Sequence, residues 1–384
     1  MGRPLALQSL AGRPTHRAPV ALFTWGFDYI FKLAGLAPWQ LAFGGHETWH
    51  RAHMAIVDCH HPDIVFYDGA GSGPLDATLL RETREAWYAR DNNTGAEHEL
   101  LKDSLAAREL ATGRKICDPV GGVIRAIADV ERLITPGGVH GQAYLDGLAR
   151  LIRDVGERAL VMPHDSPAYI VACYALGFEP AMQMMLEAPE VFAAACARCD
   201  AGARRRMRQL AEAGAEAVFI ADSWASCDII SPALFERFAL PYQRSIVEAA
   251  REAGLRVALW NPGDIRPILR HEAALPVDAF AWEQPRKGID VPVRMVREVF
   301  GPDRCLWGNV DSELLLWRND PDEIRAAVAE QFRQSGPGAP FALFQGSPIP
   351  SNVEPAAVET MIRAARAASE WLQSTDQSLQ CNEG

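Results

Sequence analysis

The 384-residue sequence lacks several features that would fix its setting at once. Its first fifteen residues, MGRPLALQSLAGRPT, contain no apolar core of the kind a secretory leader carries, and nowhere do about 18 apolar residues run together. A cytoplasmic protein without a membrane partner is therefore expected. Basic charge is also short: Lys+Arg 38 against Asp+Glu 49 gives a net charge of −11. An acidic chain with no basic stripe is poorly suited to nucleic acid, so a small-molecule substrate is expected instead. The eight cysteines, at 59, 117, 173, 196, 199, 227, 305 and 381, include one C-x-x-C spacing, Cys196 with Cys199, inside an Ala/Arg-rich helical run. That context favours reduced, buried thiols over a metal or redox centre. Phosphate-binding loops are missing as well. DGAGSGP (68–74) holds G-x-G, but it lacks the rest of a dinucleotide fingerprint and ends in Pro74. Repeats, low-complexity tracts and interdomain linkers are absent, which points to one domain over residues 1–373. The segment 374–384, STDQSLQCNEG, is expected to be a disordered tail.

Eight short apolar runs are present: PVALFTW (19–25), DIVFYD (63–68), ALVMPH (159–164), AVFIAD (217–222), RVALWN (256–261), DAFAWE (278–283), RCLWGN (304–309) and FALFQG (341–346). Each is too short for a buried helix and too uniformly apolar for a strand with one wet face, so parallel strands covered on both sides fit best. Helical patterns alternate with them. SPALFERFALPYQRSIVEAAREAG (231–254) opens with Ser231 as N-cap and Pro232 in the first turn, and DPDEIRAAVAEQF places acids where a helix dipole favours them. Eight strands alternating with helices predict a (β/α)8 barrel. Residues 69–158, mostly helical in pattern, form a helical insertion after the second strand.

Barrel enzymes gather their chemistry at the C-terminal strand ends. Those ends carry Trp25, Asp68, His164 with Asp165, Asp222 with Ser223, Trp260 with Asn261, Glu283, Asn309 with Asp311, and Gln345. Carboxylates, one imidazole, carboxamides and tryptophans suit a partly apolar pocket with a few polar handles. Structural roles compete with each assignment. Asp68 can cap the DGAGSGP turn, Asp222 can cap the segment after it, His164 can bond a loop carbonyl, and Glu283 can pair with Arg286 or Lys287. The segment 44–63 holds His46, His50, His53, His60 and His61, and HETWH (46–50) satisfies H-E-x-x-H. It precedes a barrel strand rather than lying on a long helix with a third ligand downstream, so neither a metalloprotease nor another metal centre is expected there.

FIADSWASCDIISPALFERFALPYQRSI (219–246) resembles the uroporphyrinogen decarboxylase superfamily, which includes the tetrapyrrole decarboxylase and zinc-dependent corrinoid–thiol methyltransferases. The shared signature is a strand ending in Asp-Ser, then Ser-Pro, Phe-x-x-Phe and Leu-Pro-Tyr. LWGNVDSELL (306–315), PDIVFYD (62–68) and FQGSPIPSNVEPAAVETMIRAAR (344–366) are similar to further family elements, so the resemblance runs from about residue 19 to 370 and implies a (β/α)8 barrel. Two departures matter. Where the decarboxylase has substrate-binding arginines, PVALFTWGFDYIFK places Thr24 and Asp28. Where the methyltransferases have His-x-Cys-Gly and a later cysteine, the chain has Trp260-Asn261-Pro262-Gly263 and Ser347, which leaves no zinc ligand set.

The resemblance implies an enzyme, a methyltransferase or decarboxylase-like lyase, acting on a small substrate other than uroporphyrinogen. Asp68, His164 and Asp222 are the expected acid–base residues, and Trp25, Trp260, Asn261, Glu283, Asn309 and Gln345 the expected substrate contacts. No metal is expected to be required. A corrinoid or other methyl donor, a corrinoid protein as partner and a homodimeric assembly are compatible with the resemblance. The alternative is a non-catalytic barrel that binds a small ligand or a partner protein.

Overall fold

The computed structural model describes residues 1–24, 28–36, 46–67, 77–92, 95–101, 123–134 and 138–382. Eight strands form one parallel sheet: β1 (Ala21–Leu22), β2 (Ile64–Tyr67), β6 (Leu160–Asp165), β7 (Ala217–Ala221), β8 (Arg256–Asn261), β9 (Ala279–Trp282), β10 (Cys305–Trp307) and β11 (Phe341–Ala342). The ring closes between its first and last members. Val20 bridges Leu343, the Ala21 amide donates to the Leu343 carbonyl at 2.9 Å, and the Leu343 amide donates to Pro19 at 2.9 Å. This is the expected (β/α)8 barrel.

Alternation along each strand sorts side chains into two cores. Phe23, Phe66, Phe219, Trp260, Trp307 and Phe344 point inward with small residues such as Ala217, Ala258 and Ala279 between them. The large rings interlock where the alanines leave room: Phe219 lies 4.8 Å from Phe66 and 5.4 Å from Phe23 between centroids, and Phe23 stacks on Phe344 at 5.0 Å. Val218, Ile220, Val257, Leu259 and Leu306 point outward and meet the helix layer.

The N-terminal helix Gly2–Leu10 sits under the barrel and contributes Ala6 and Leu10 to the inner core. Arg3 pairs with Glu157 and Glu216, which precede β6 and β7, and the Ser9 hydroxyl contacts the Cys305 thiol at 3.3 Å. A Cβ at Gly2 would collide with the Arg158 carbonyl, so a glycine permits this close approach.

The insertion after β2 contains the helices Ile127–Leu133 and Gln142–Val155 and, ahead of them, a feature beyond the helical pattern expected. β3 (Ala77–Glu82), β4 (Ala86–Asp91) and β5 (Glu97–Leu101) form a separate antiparallel sheet. The strand formers Trp87 and Tyr88 follow a turn in which the Thr83 hydroxyl accepts from the Ala86 amide at 2.9 Å. At the other end of the chain, the last helix runs from Pro355 to Asn382, through most of the segment expected to be a tail. No proline or glycine interrupts 374–382.

Candidate functional site

Strand alternation also divides the residues at the C-terminal strand ends. His164 lies two residues past inward Met162, and its ring is 6.2 Å from that of Phe219. Trp260 belongs to the inner core, with its ring 5.3 Å from Phe23, and its indole N–H donates to the Gly346 carbonyl at 3.2 Å. Glu283 follows inward Ala281 by two residues. Its carboxylate accepts from the Gly263 amide at 2.9 Å, from Arg286 Nη1 at 2.8 Å and from the Ser347 hydroxyl at 3.4 Å. The ion pair with Arg286 is the structural role weighed for this residue, yet two further donors from the β8 and β11 ends reach the same carboxylate. His164, Trp260 and Glu283 thus stand on the inner face at the upper end of an aromatic-filled lumen.

Four other expected site residues are engaged elsewhere. Asp222 follows outward Val218 and Ile220, and Asn261 follows outward Val257 and Leu259, so both carry their side chains into the space beneath the helices. There Gln243, from the helix Leu240–Glu252, donates to Asp222 Oδ2 at 3.0 Å and to Glu272 Oε1 at 3.4 Å. Asn261 Nδ2 donates to Glu272 Oε1 at 2.6 Å. Burial pushes the Asp222 carboxyl up to about 8 against the Gln243 hydrogen bond, and it pushes Glu272 up to about 7. Asn309 donates to the Glu283 carbonyl at 3.0 Å and to the Val291 carbonyl at 3.3 Å, and it accepts from Gln331 on the helix Pro321–Ser335. Gln345 accepts from the Phe23 amide at 2.8 Å and contacts Met361 of the last helix. Strand alternation thus directs Asp222, Asn261 and Gln345 away from the inner face that holds His164, whereas Asn309, two residues past inward Trp307, is taken up by bonds to Glu283, Val291 and Gln331. Trp25 and Asp68 lie outside the described residues.

Asp165, next to His164, faces outward and is locked. Arg206 of the helix Pro189–Glu212 reaches it through Nε at 2.9 Å and Nη2 at 2.7 Å, and His140 Nε2 lies 3.3 Å away. Burial opposes its ionisation, but the Arg206 guanidinium and the His140 hydrogen bond outweigh that and hold the carboxyl well below the usual range. Sequence reasoning did not single out Arg206, Gln243 or Glu272. The available signal for Arg206 was a guanidinium in register with buried Cys199, Ala203 and Leu210 on one helix face.

Among the described residues, the donor set at the upper rim does not fit the zinc found in methyltransferases of the resembled superfamily. The indole of Trp260 offers no lone pair to a metal, the Asn261 side chain points away, and the Glu283 oxygens already accept hydrogen bonds from Gly263, Arg286 and Ser347. The histidines of the helix His46–His60 take separate partners: His50 with Asp154 at 3.2 Å, His53 with the Trp49 carbonyl at 2.8 Å, and His60 with the Tyr29 hydroxyl at 2.7 Å. Burial pushes His53 down to about 4. Among the described residues, no group of three or more His, Cys, Asp or Glu side chains is arranged to hold a metal. Cys196 and Cys199 are both buried and unbridged, and burial raises both thiols. No helix among the described residues is long and apolar enough to cross a membrane.

The family profile described as Uroporphyrinogen decarboxylase (URO-D) matches residues 112–368. Relatives described as uroporphyrinogen decarboxylase include a protein of Gloeobacter violaceus, 30% identical over half of this chain and 54% of its own length. One from Chlorobium luteolum is 29% identical over 64% of this chain and 71% of its own. One from Myxococcus xanthus is 25% identical over 93% and 94%. Among solved structures, a methyltransferase from Methanosarcina mazei aligns over 95% of this chain and 98% of its own with a TM-score of 0.69 at 18% identity, a likeness of fold.

Proposed function

The chain belongs to the uroporphyrinogen decarboxylase family, and from that premise we propose that it is an enzyme acting on a small carboxylated substrate by an acid–base, lyase-type step, distinct from uroporphyrinogen decarboxylation. The observation that carries this reading is His164 on the inner barrel face, above the rings of Phe219 and Phe66, beside a rim that does not suit zinc. A carboxylate held against aromatic carbon is poorly solvated, and loss of carbon dioxide disperses its charge. The electron pair of the broken C–C bond stays on the substrate carbon, which takes a proton from His164 in its imidazolium form, and solvent then reprotonates the imidazole left behind. Trp260 supplies a flat apolar contact, and Glu283 fixes the turn at Gly263 and the β11 end around it. Thr24 in place of a substrate-binding arginine leaves a polyanionic tetrapyrrole without a charge-assisted contact there, hence the smaller substrate. Asp68, next after β2 in sequence, and Trp25 complete the proposed set on the family resemblance. A homodimer is the proposed assembly.

Methyl transfer is the second reading, resting on the same family, and it requires a corrinoid or other methyl donor. One experiment separates the two. Small aromatic and aliphatic carboxylic acids are screened by thermal shift, and stabilising compounds are then followed for carbon dioxide release with wild type and His164→Asn. The lyase reading expects release by wild type and a turnover loss of about 10²–10⁴ in the variant. Equal turnover by both would overturn the role of His164. Binding with no product, with or without methylcobalamin, would favour the non-catalytic barrel.

A further inference from the structure

Asp222, Gln243, Asn261 and Glu272 form a sealed polar cluster, all four fully buried between the barrel wall and the helices. Among the described residues, neither acid contacts a lysine, arginine or histidine. The other titratable groups facing Asp222 are Tyr169 and Cys173 of the helix Ala168–Leu176 and Cys196 of the helix Pro189–Glu212, while Cys227, in the segment after β7, faces Glu272. Burial raises all of these phenol and thiol groups, so each is neutral near neutrality. Two bare carboxylates in such surroundings would be an uncompensated buried charge, which costs several kcal/mol per ion.

The hydrogen-bond inventory shows how the charge is removed. The carboxamide N–H groups of Gln243 and Asn261 already occupy Asp222 Oδ2 and Glu272 Oε1. Four buried oxygens remain without a partner: Asp222 Oδ1, Glu272 Oε2, Gln243 Oε1 and Asn261 Oδ1. A proton on each acid converts two of these acceptors into donors and leaves two amide oxygens to receive them. Two protons therefore give these four oxygens matched roles, two as donors and two as acceptors. A cation among the same oxygens would sit beside the amide N–H groups that are directed at the carboxylates.

We propose that Asp222 and Glu272 are a pair of neutral carboxylic acids that lock the ends of β7 and β8 together, and that losing their protons opens this lock. Asp222 directly follows β7 and its amide donates to the Trp260 carbonyl at 3.1 Å, while Asn261 ends β8 directly after Trp260. Alkali thus acts on the wall segment that holds the inner-face indole. The inference goes beyond the proposed function and needs no substrate. Burial holds both carboxyls above their ordinary range, so each contributes stability fully below its unfolded titration and loses it as pH rises through the folded value.

The test is infrared spectroscopy of the full-length wild-type protein in light and heavy water, together with urea unfolding across pH for wild type and the double variant Asp222→Asn, Glu272→Gln. At about pH 6, where ordinary carboxyl groups are ionised, wild type is expected to show a deuterium-sensitive C=O stretch of protonated acid that fades in alkali. The unfolding equilibrium constant of wild type is expected to rise relative to that of the double variant, by up to about tenfold per pH unit for each acid, between its ordinary and its folded titration. A wild-type spectrum without the protonated band at that pH overturns the proposal, whether or not the variant folds. So does elemental analysis that finds a stoichiometric cation in wild type and none in the variant.

Discussion

Arg206 grips both oxygens of Asp165, through Nε at 2.9 Å and Nη2 at 2.7 Å, in a setting where the two side chains are 10% and 3% exposed. The pair ties β6 to the long helix Pro189–Glu212 at the residue after His164. Removing the cation strands a buried carboxylate. Arg206→Leu is expected to lose about 3–5 kcal/mol in urea unfolding at neutral pH.

The same pair sets acid behaviour. Asp165 is held below its ordinary range, so its contribution is present above the unfolded titration and is lost as pH falls below about 4. In Arg206→Leu the carboxyl no longer has that cation. The stability gap between the variant and wild type is therefore expected to narrow in acid. A gap that stays constant down to about pH 3 would contradict the charge account.

Phe219 meets Phe23, Phe66, Trp307 and Phe344 inside the barrel. Phe219→Ala is expected to cost about 3–5 kcal/mol, measured by the denaturation midpoint, because the surrounding rings belong to different strands and cannot all collapse into the space.

Gly346 is fixed by close approach. A Cβ there would collide with the backbone nitrogen of Gln284, whereas a Cβ at Gly138 meets nothing within 4 Å. Gly346→Ala is expected to lower stability by about 2 kcal/mol or more and to shift the near-ultraviolet signal of Trp260, whose indole bonds the Gly346 carbonyl. Gly138→Ala is expected to fall within about 0.5 kcal/mol of wild type in the same measurement.

If the rim works without zinc, exhaustive chelation leaves the melting temperature unchanged, and uroporphyrinogen is neither bound nor converted to coproporphyrinogen. A loss of stability reversed by zinc alone would contradict the proposal, and so would measurable coproporphyrinogen.

The barrel was legible because its strands are short apolar runs with helical periods between them, a pattern that few other architectures produce. The separate sheet of β3 to β5 was less so, since runs such as ATLLRE and EHELL are brief and half polar. The eight strands fall within the expected runs to within a few residues, yet which side each residue faces depends on where the two-residue alternation begins. That is why Trp260 and Asn261, adjacent in sequence, lie on opposite sides of the wall. Glu272 and Gln243 matter through partners far along the chain, and nothing in their immediate neighbours marks them.

The helix Gly2–Leu10 has a consequence for traffic. Ala6 and Leu10 pack against the lower end of the inner core, and aromatic rings fill its middle, so among the described residues the barrel floor is closed. A substrate held beside His164 and the product made from it would both pass by the upper end of the strands. Product must then leave before the next substrate enters, so inhibition by product is expected to be competitive.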